Sequence, residues 1–391
     1  MVQQFNPKRV LRQVSNPLLR EFFEHQGNPL DVEWDVFSNT QIEGIFDAWQ
    51  LLPERPRKVV EIIFHDVHSM ANEDGLRVII EEGQYGGEDL SSILDSMDSR
   101  YDKAIWCFMN RPNVWEPAIR FAKADSLSGG RSWIKRGSMP LAMPRTGAEA
   151  LRALQDAMSA FYRDRQGRGH HCKVDYFPRG SNHHYYFVYL SDYANTYINF
   201  DDAGNFQRMP ERRAFEVVFA YDHDSATLEM YAKGGKKVVE PLQSMFCRTI
   251  LGEHLAPEDP NIKPYQLDVL MERGFPFPTD PEDGIEEVSI RCMRLSILGR
   301  RRRRITLEPD PQKGADHLYE MLEEDLNRKR LPKSILHVTK ATFGFKLNGN
   351  ARSNSLVFSV TYPNSCDLKS KREELRLLGE KYLKRWKIDV T

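Results

Sequence analysis

Cysteine is scarce. The chain of 391 residues has five, Cys107, Cys172, Cys247, Cys292 and Cys366, and no two form a CxxC pair. That pattern gives no support to a zinc ribbon or a redox dithiol, and a sparse, odd set suits reduced thiols better than a disulfide framework. Long apolar runs are also missing. No stretch approaches the roughly twenty residues that span a bilayer. Near the start, Arg9, Arg12 and Arg20 interrupt the apolar residues, so no signal core forms. The expectation is a soluble, cytoplasmic protein without a membrane partner.

Several chemistries lack their motif. GxxxxGK[ST], GxGxxG, GxSxG and HExxH do not occur, which removes the usual phosphate cradles, the hydrolase elbow and the zincin pair. No cofactor is expected. Lys236 and Lys237 follow Gly234 and Gly235 at a helix start, where backbone N–H groups and lysines could hold a phosphate. The same four residues also make an ordinary turn.

Charge is present but unevenly placed. The net charge is −1, yet residues 31–100 carry sixteen acidic against five basic side chains, a balance of −11. Residues 290–352 carry fifteen basic against seven acidic, a balance of +8. Opposite halves of this kind suggest two surfaces with different partners, or halves that attract each other.

The residues up to 125 read as an all-helical domain. Asn16 and Pro17 start one helix, and Ser38 and Gln41 have capping-box spacing. Two apolar stripes follow at helical spacing, Ile42, Ile45, Phe46 and Trp49, then Val59, Ile63, Val67 and Met70. Residues 126–146, rich in Gly, Ser and Pro, read as a linker or long loop. Residues 147–391 read as an α+β part with a possible division near 260. Strand–strand–helix occurs there three times, which predicts antiparallel sheets with helices on one face and the other face open.

The stretch GRGHHCKVDYFPRGSNHHYYFVYL, residues 167–190, tests for a metal site. Taking Pro178–Asn182 as a hairpin loop pairs Phe177 with His183 and His171 with Tyr189. The two histidine pairs then lie about 20 Å apart, too far to share one ion. On a helix, Glu61, His65 and His68 share one face and could bind metal, although the polar side of an amphipathic helix carries such residues without one.

The clearest local feature is RLSILGRRRRRITLEP, with Arg300, Arg301, Arg302, Arg303 and Arg304 at the tip of a hairpin. Arg291 and Arg294 precede it at uneven spacing, so they need not share a face. Arg328, Lys329 and Arg330 form a second basic cluster. Guanidinium forks match phosphate oxygens and can follow a nucleic-acid backbone without reading bases. These residues predict a non-enzymatic binding or regulatory protein whose partner is nucleic acid or an acidic protein surface. The alternative is a metal-dependent hydrolase or nuclease with ligands drawn from distant segments.

Overall fold

The computed structural model describes residues 5–34, 42–128, 130, 132–200, 204–257, 263–298, 303–326, 329–348 and 355–391. It is an α+β protein whose N-terminal region is helical. By contacts the chain divides into two units, residues 1–124 with 195–211 and residues 125–194 with 212–391.

The helices of the first unit are α1 (Pro7–Gln13), α2 (Asn16–His25), α3 (Glu43–Gln50), α4 (Glu54–Met70), α5 (Glu73–Tyr85), α6 (Ser91–Asp95), α7 (Arg100–Asn110) and α8 (Pro112–Ser128). Their starts follow capping chemistry. The Asn72 side chain accepts from Gly75 N–H to open α5, and Ser99 accepts from Tyr101 N–H to open α7. The cap of α2 is Ser15 rather than Asn16, which becomes the first helical residue. Ser38 and Gln41 lie outside the described residues. In α4 the buried stripe is Val60, Ile63, Phe64, Val67 and Met70. Val59, expected inside, is exposed, because a step of one residue turns a helical side chain by 100°. Phe64 packs on Phe22 and Trp49, with ring centroids 5.4 and 5.6 Å apart.

Two five-stranded antiparallel sheets follow, all within the second unit except residues 195–211 of the first sheet, which group with the first unit. The first has the order β1-β5-β4-β3-β2, from β1 (Trp133–Arg136), β2 (Cys172–Arg179), β3 (His183–Phe200), β4 (Phe206–Asp222) and β5 (Thr227–Tyr231). Helices α9 (Ala148–Gln166) and α10 (Lys236–Phe246) cover one face. Leu154, Met158 and Tyr162 of α9, with Leu242 and Phe246 of α10, meet Tyr186, Val188, Phe219 and Tyr221 of the sheet. The segment 126–146, read as a linker or loop, contains β1. Trp133 there is buried, whereas residues 137–146 have no regular secondary structure.

The second sheet has the order β10-β9-β8-β6-β7, from β6 (Ile285–Ile297), β7 (Arg304–Leu307), β8 (Leu336–Leu347), β9 (Ser355–Thr361) and β10 (Ser365–Cys366). On one face, Met293, Leu295, Phe343, Phe345 and Phe358 pack against Leu318 and Leu322 of α11 (His317–Glu324) and Tyr382 and Trp386 at the end of α12 (Glu373–Arg385). Alternation along these strands then turns the intervening residues to the opposite face.

A polar seam ties the two sheets together. Lys135 N–H of β1 donates to the Asn364 carbonyl at 2.7 Å. Lys135 Nζ meets Asp389 Oδ2 at 2.8 Å, and Glu229, which accepts from Trp133 Nε1 at 2.6 Å within the first sheet, meets Lys369 Nζ at 3.3 Å. No helix among the described residues is long and apolar enough to cross a membrane.

Candidate polyanion-binding face

The open face of the second sheet is set by register and two bulges. Ile290 pairs with Phe343 and Cys292 with Thr342, which leaves Arg291 as the extra residue of a bulge. A second irregularity lies between Arg294, paired with Lys340, and Leu295, paired with Val338. Because Met293 and Leu295 face the core, Arg294 faces outward. Lys340 stands opposite it on β8, and Thr306 opposite it on β7. Arg304 pairs with Ser296, one step further along the same face.

Arg291 reaches this face through its bulge. Phe343 and Phe345 enter the core, so Gly344 between them faces outward, and the Arg291 side chain lies directly over it. The uneven spacing of Arg291 and Arg294, which in a regular strand would separate them, is thus absorbed by the bulge. Arg294 Nε donates to Thr339 Oγ1 at 3.2 Å, and Thr339 Oγ1 donates to the Arg294 carbonyl at 3.1 Å. Thr342 and Ser359 hydroxyls lie 2.9 Å apart across β8 and β9.

One end of the face is not basic. Lys346 is paired with Glu286 at 2.7 Å. A cleft of about 170 Å³ beside it is lined by Glu287, Asp310, Arg291 and Ser289. Asp367, whose carboxyl burial pushes up, accepts from Ser359 N–H at 2.7 Å. The cationic track is therefore Arg291, Arg294, Lys340 and Arg304, and it leads toward the β6–β7 turn. Arg300, Arg301 and Arg302 of that turn lie outside the described residues, while Arg303 and Arg304 are exposed where β7 begins. Arg328 is also outside them, and Lys329 and Arg330 are exposed in the turn after α11. Lys236 and Lys237 are exposed in the first turn of α10.

The weaker metal candidates do not converge. Glu61 and His65 are exposed. His68 Nδ1 shares a hydrogen bond of 2.8 Å with Tyr101 OH, and the His65 and His68 rings pack against Phe5 at 5.1 and 5.8 Å. Among the described residues, no three or more His, Cys, Asp or Glu side chains gather to hold a metal ion. The 167–190 hairpin forms, but its register differs from the expected one. Phe177 pairs with Tyr185 and Arg179 with His183. Pro178, expected in the loop, lies inside β2, which shortens the turn and shifts the pairing by two residues.

That register assembles a cluster not apparent from the sequence. His184 Nδ1 lies 2.9 Å from Tyr176 OH, and its Nε2 lies 3.3 Å from His223 Nδ1. His223 Nε2 meets Asp224 Oδ1 at 3.1 Å. His223 sits 39 residues downstream, in the turn between β4 and β5, and only strand pairing brings it to His184. The thiols show no activation. Burial pushes Cys107 and Cys172 up to about 12 and Cys247 up to about 11, away from the thiolate that a nucleophile needs.

No family model, no curated protein and no solved structure matches this chain. The geometry alone must carry a functional reading.

Proposed function

We propose that this protein is a non-enzymatic binding protein that uses the open face of its second sheet, together with the arginine-rich β6–β7 turn, to hold the phosphate backbone of nucleic acid. The observation carrying this reading is the convergence of Arg291, Arg294, Lys340 and Arg304 on one face by register and bulge. Threonine and serine hydroxyls lie among these cations, at Ser296, Thr306, Thr342 and Ser359. Hydroxyl and guanidinium donors are the groups that phosphate oxygens accept from.

The character of the face also limits the contact. On the strands β6 to β9, the phenylalanines Phe343, Phe345 and Phe358 are all committed to the core. Among the outward positions of these described strands one ring is found, His337, which packs edge to face on Tyr362 at 4.2 Å and is held by Asp268 at 2.8 Å, so the face offers no row of rings for stacking successive bases. The expected binding is thus sequence-independent and dominated by counterion release. Fluorescence anisotropy with labelled duplexes of unrelated sequence, at low and moderate salt, tests it. Similar affinities that fall steeply with salt support the reading. No binding at low salt ends it, and preference for an acidic polypeptide over the duplex transfers the face to a protein partner.

A further inference from the structure

The arginine run is followed by a hydroxyl. Thr306 comes after Arg303, Arg304 and Ile305 and precedes Leu307. Protein kinases that select substrates by charge set carboxylates against arginines ahead of the acceptor hydroxyl, and the guanidinium fork suits those carboxylates. A short motif of this kind recurs by chance, so placement decides. Thr306 is exposed, and so are Arg303 and Arg304 ahead of it. It lies in β7, a strand of four residues at the end of the second sheet, where it pairs with β6. The segment is thus already extended, and a strand this short at the end of a sheet opens at low cost.

The surroundings of the hydroxyl are cationic. Ile305 and Leu307 pack toward the core, so Thr306 between them faces outward. Arg294 stands directly opposite it on β6, with about 4.5–5.5 Å between the Cβ atoms of such a pair. Arg304 lies two residues back along the same face of β7, about 7 Å away. Lys340 stands beside Arg294 on β8. The Nε bond to Thr339 steadies the Arg294 side chain. Glu308 opposes these charges, and it lies further along the chain, 3.9 Å from Cys292 Sγ.

We infer that Thr306 is a phosphorylation site for an arginine-directed serine/threonine kinase, and that its phosphate lies in the cationic track between Arg294 and Arg304. The γ-phosphoryl group of ATP passes to Thr306 Oγ1. The new P–O bond replaces the one to ADP, and the hydroxyl proton goes to the kinase's base. The group brings a charge of about −1.5 to −2 and strong acceptor oxygens, which guanidinium donors match. It then fills, from within the chain, the place that a backbone phosphate would take, and so closes the face. That closing rests on the proposed function, whereas the modification and its cation contacts do not.

The full chain, incubated with ATP, Mg²⁺ and cyclic-AMP-dependent protein kinase as the arginine-directed probe, tests this. Peptide mass spectrometry should place phosphate on Thr306, and Thr306→Val should lose uptake at that position. ³¹P NMR reads the cation contacts. The second ionisation of phosphothreonine, ordinarily at about 6, should fall by about half a pH unit or more, and Arg294→Ala should return it toward the ordinary value. Duplex affinity by anisotropy should drop about tenfold or more on modification. An unmodified chain that binds no duplex is a failure of the proposed function alone, seen before any kinase is added, and the mapping and the ³¹P titration then decide the site. No phosphate on Thr306 overturns the inference. So does a phosphate that titrates as in a free peptide, or a modified chain that binds duplex as tightly as the unmodified one.

Discussion

Lys369 Nζ lies 3.3 Å from Glu229 Oε1, and its ammonium sits 5.5 Å from the ring centres of both Trp133 and Tyr185. Burial disfavours each charge alone. The Glu229 charge outweighs that cost and raises Lys369 well above its ordinary value, while Lys369 and Lys135 together hold Glu229 below its own. The pair thus stays ionised within the seam that joins the two sheets.

Removing one partner should therefore be costly. Glu229→Gln leaves the Lys369 ammonium without its counter-charge, a change that typically costs about 3–5 kcal/mol. Replacing both together, Glu229→Gln with Lys369→Met, should recover much of that loss, since no buried charge is left unpaired. Urea unfolding of the two variants measures this. A single-variant loss below about 1 kcal/mol would place the pair with ordinary surface ion pairs.

The histidine end of the first sheet should make stability pH-dependent. Burial lowers His183 to about 4, and the Lys369 charge adds to the effect despite Asp222 opposing it. Burial also lowers His184, with His223 beside it. A histidine whose folded value lies below its unfolded value of 6.5 destabilises the fold when it takes up a proton. The contribution is fully present above that unfolded value and drains as pH falls toward 4. Urea midpoints should fall over that window, and His183→Gln should flatten the decline. Parallel curves for wild type and variant would rule His183 out as a source.

Much of this fold is legible in the sequence, and the gaps have definite causes. Apolar spacing reveals the helices of the first unit and the β6–β7–α11 and β8–β9–α12 order of the second, because both periods are local, whereas the first expected strand–strand–helix unit has four strands, β2 to β5, before α10. Boundaries slip where the chemistry is degenerate. Ser15 and Asn16 can each cap, and Val59 and Val60 differ only by a rotation of the stripe. The site is harder to read. Arg291 and Arg294 look mismatched because the bulge that reconciles them exists only against β8. His184 and His223 meet through strand order, which no single segment encodes. Trp133 and β1 lie in a stretch whose Gly, Ser and Pro content resembles a linker, although its four-residue strand finds a partner in β5.

Gly344 should matter for binding more than for folding. Its backbone is not in the left-handed region, so a β-branched residue fits the strand. Gly344→Val would instead push away the Arg291 side chain that lies over it. The unfolding midpoint should stay near wild type, while duplex affinity falls about threefold, a loss of under 1 kcal/mol for one exposed charge contact. Arg291→Ala should do the same. Normal binding by Gly344→Val beside weakened binding by Arg291→Ala would break the link between the two residues.

The salt dependence gives the sharpest test of the basic face. Each phosphate neutralised contributes about 0.9 to the slope of log affinity against log salt. Replacing Arg294 and Lys340 with serine removes two cations that face each other across β6 and β8. If both contact phosphate, the slope should flatten by about 1.8 and affinity should fall alike for all duplex sequences. Replacing Arg301, Arg302 and Arg303 with serine should flatten it further if the arginine run after β6 also meets phosphate. Urea midpoints of both variants, measured alongside, separate a loss of folding from a loss of phosphate contact, since Arg294 and Lys340 are half-buried. Anisotropy titrations at several salt concentrations give both slopes. If the sheet variant keeps the wild-type slope while the turn variant loses it, the phosphate contact belongs to the turn alone and the open face has another use.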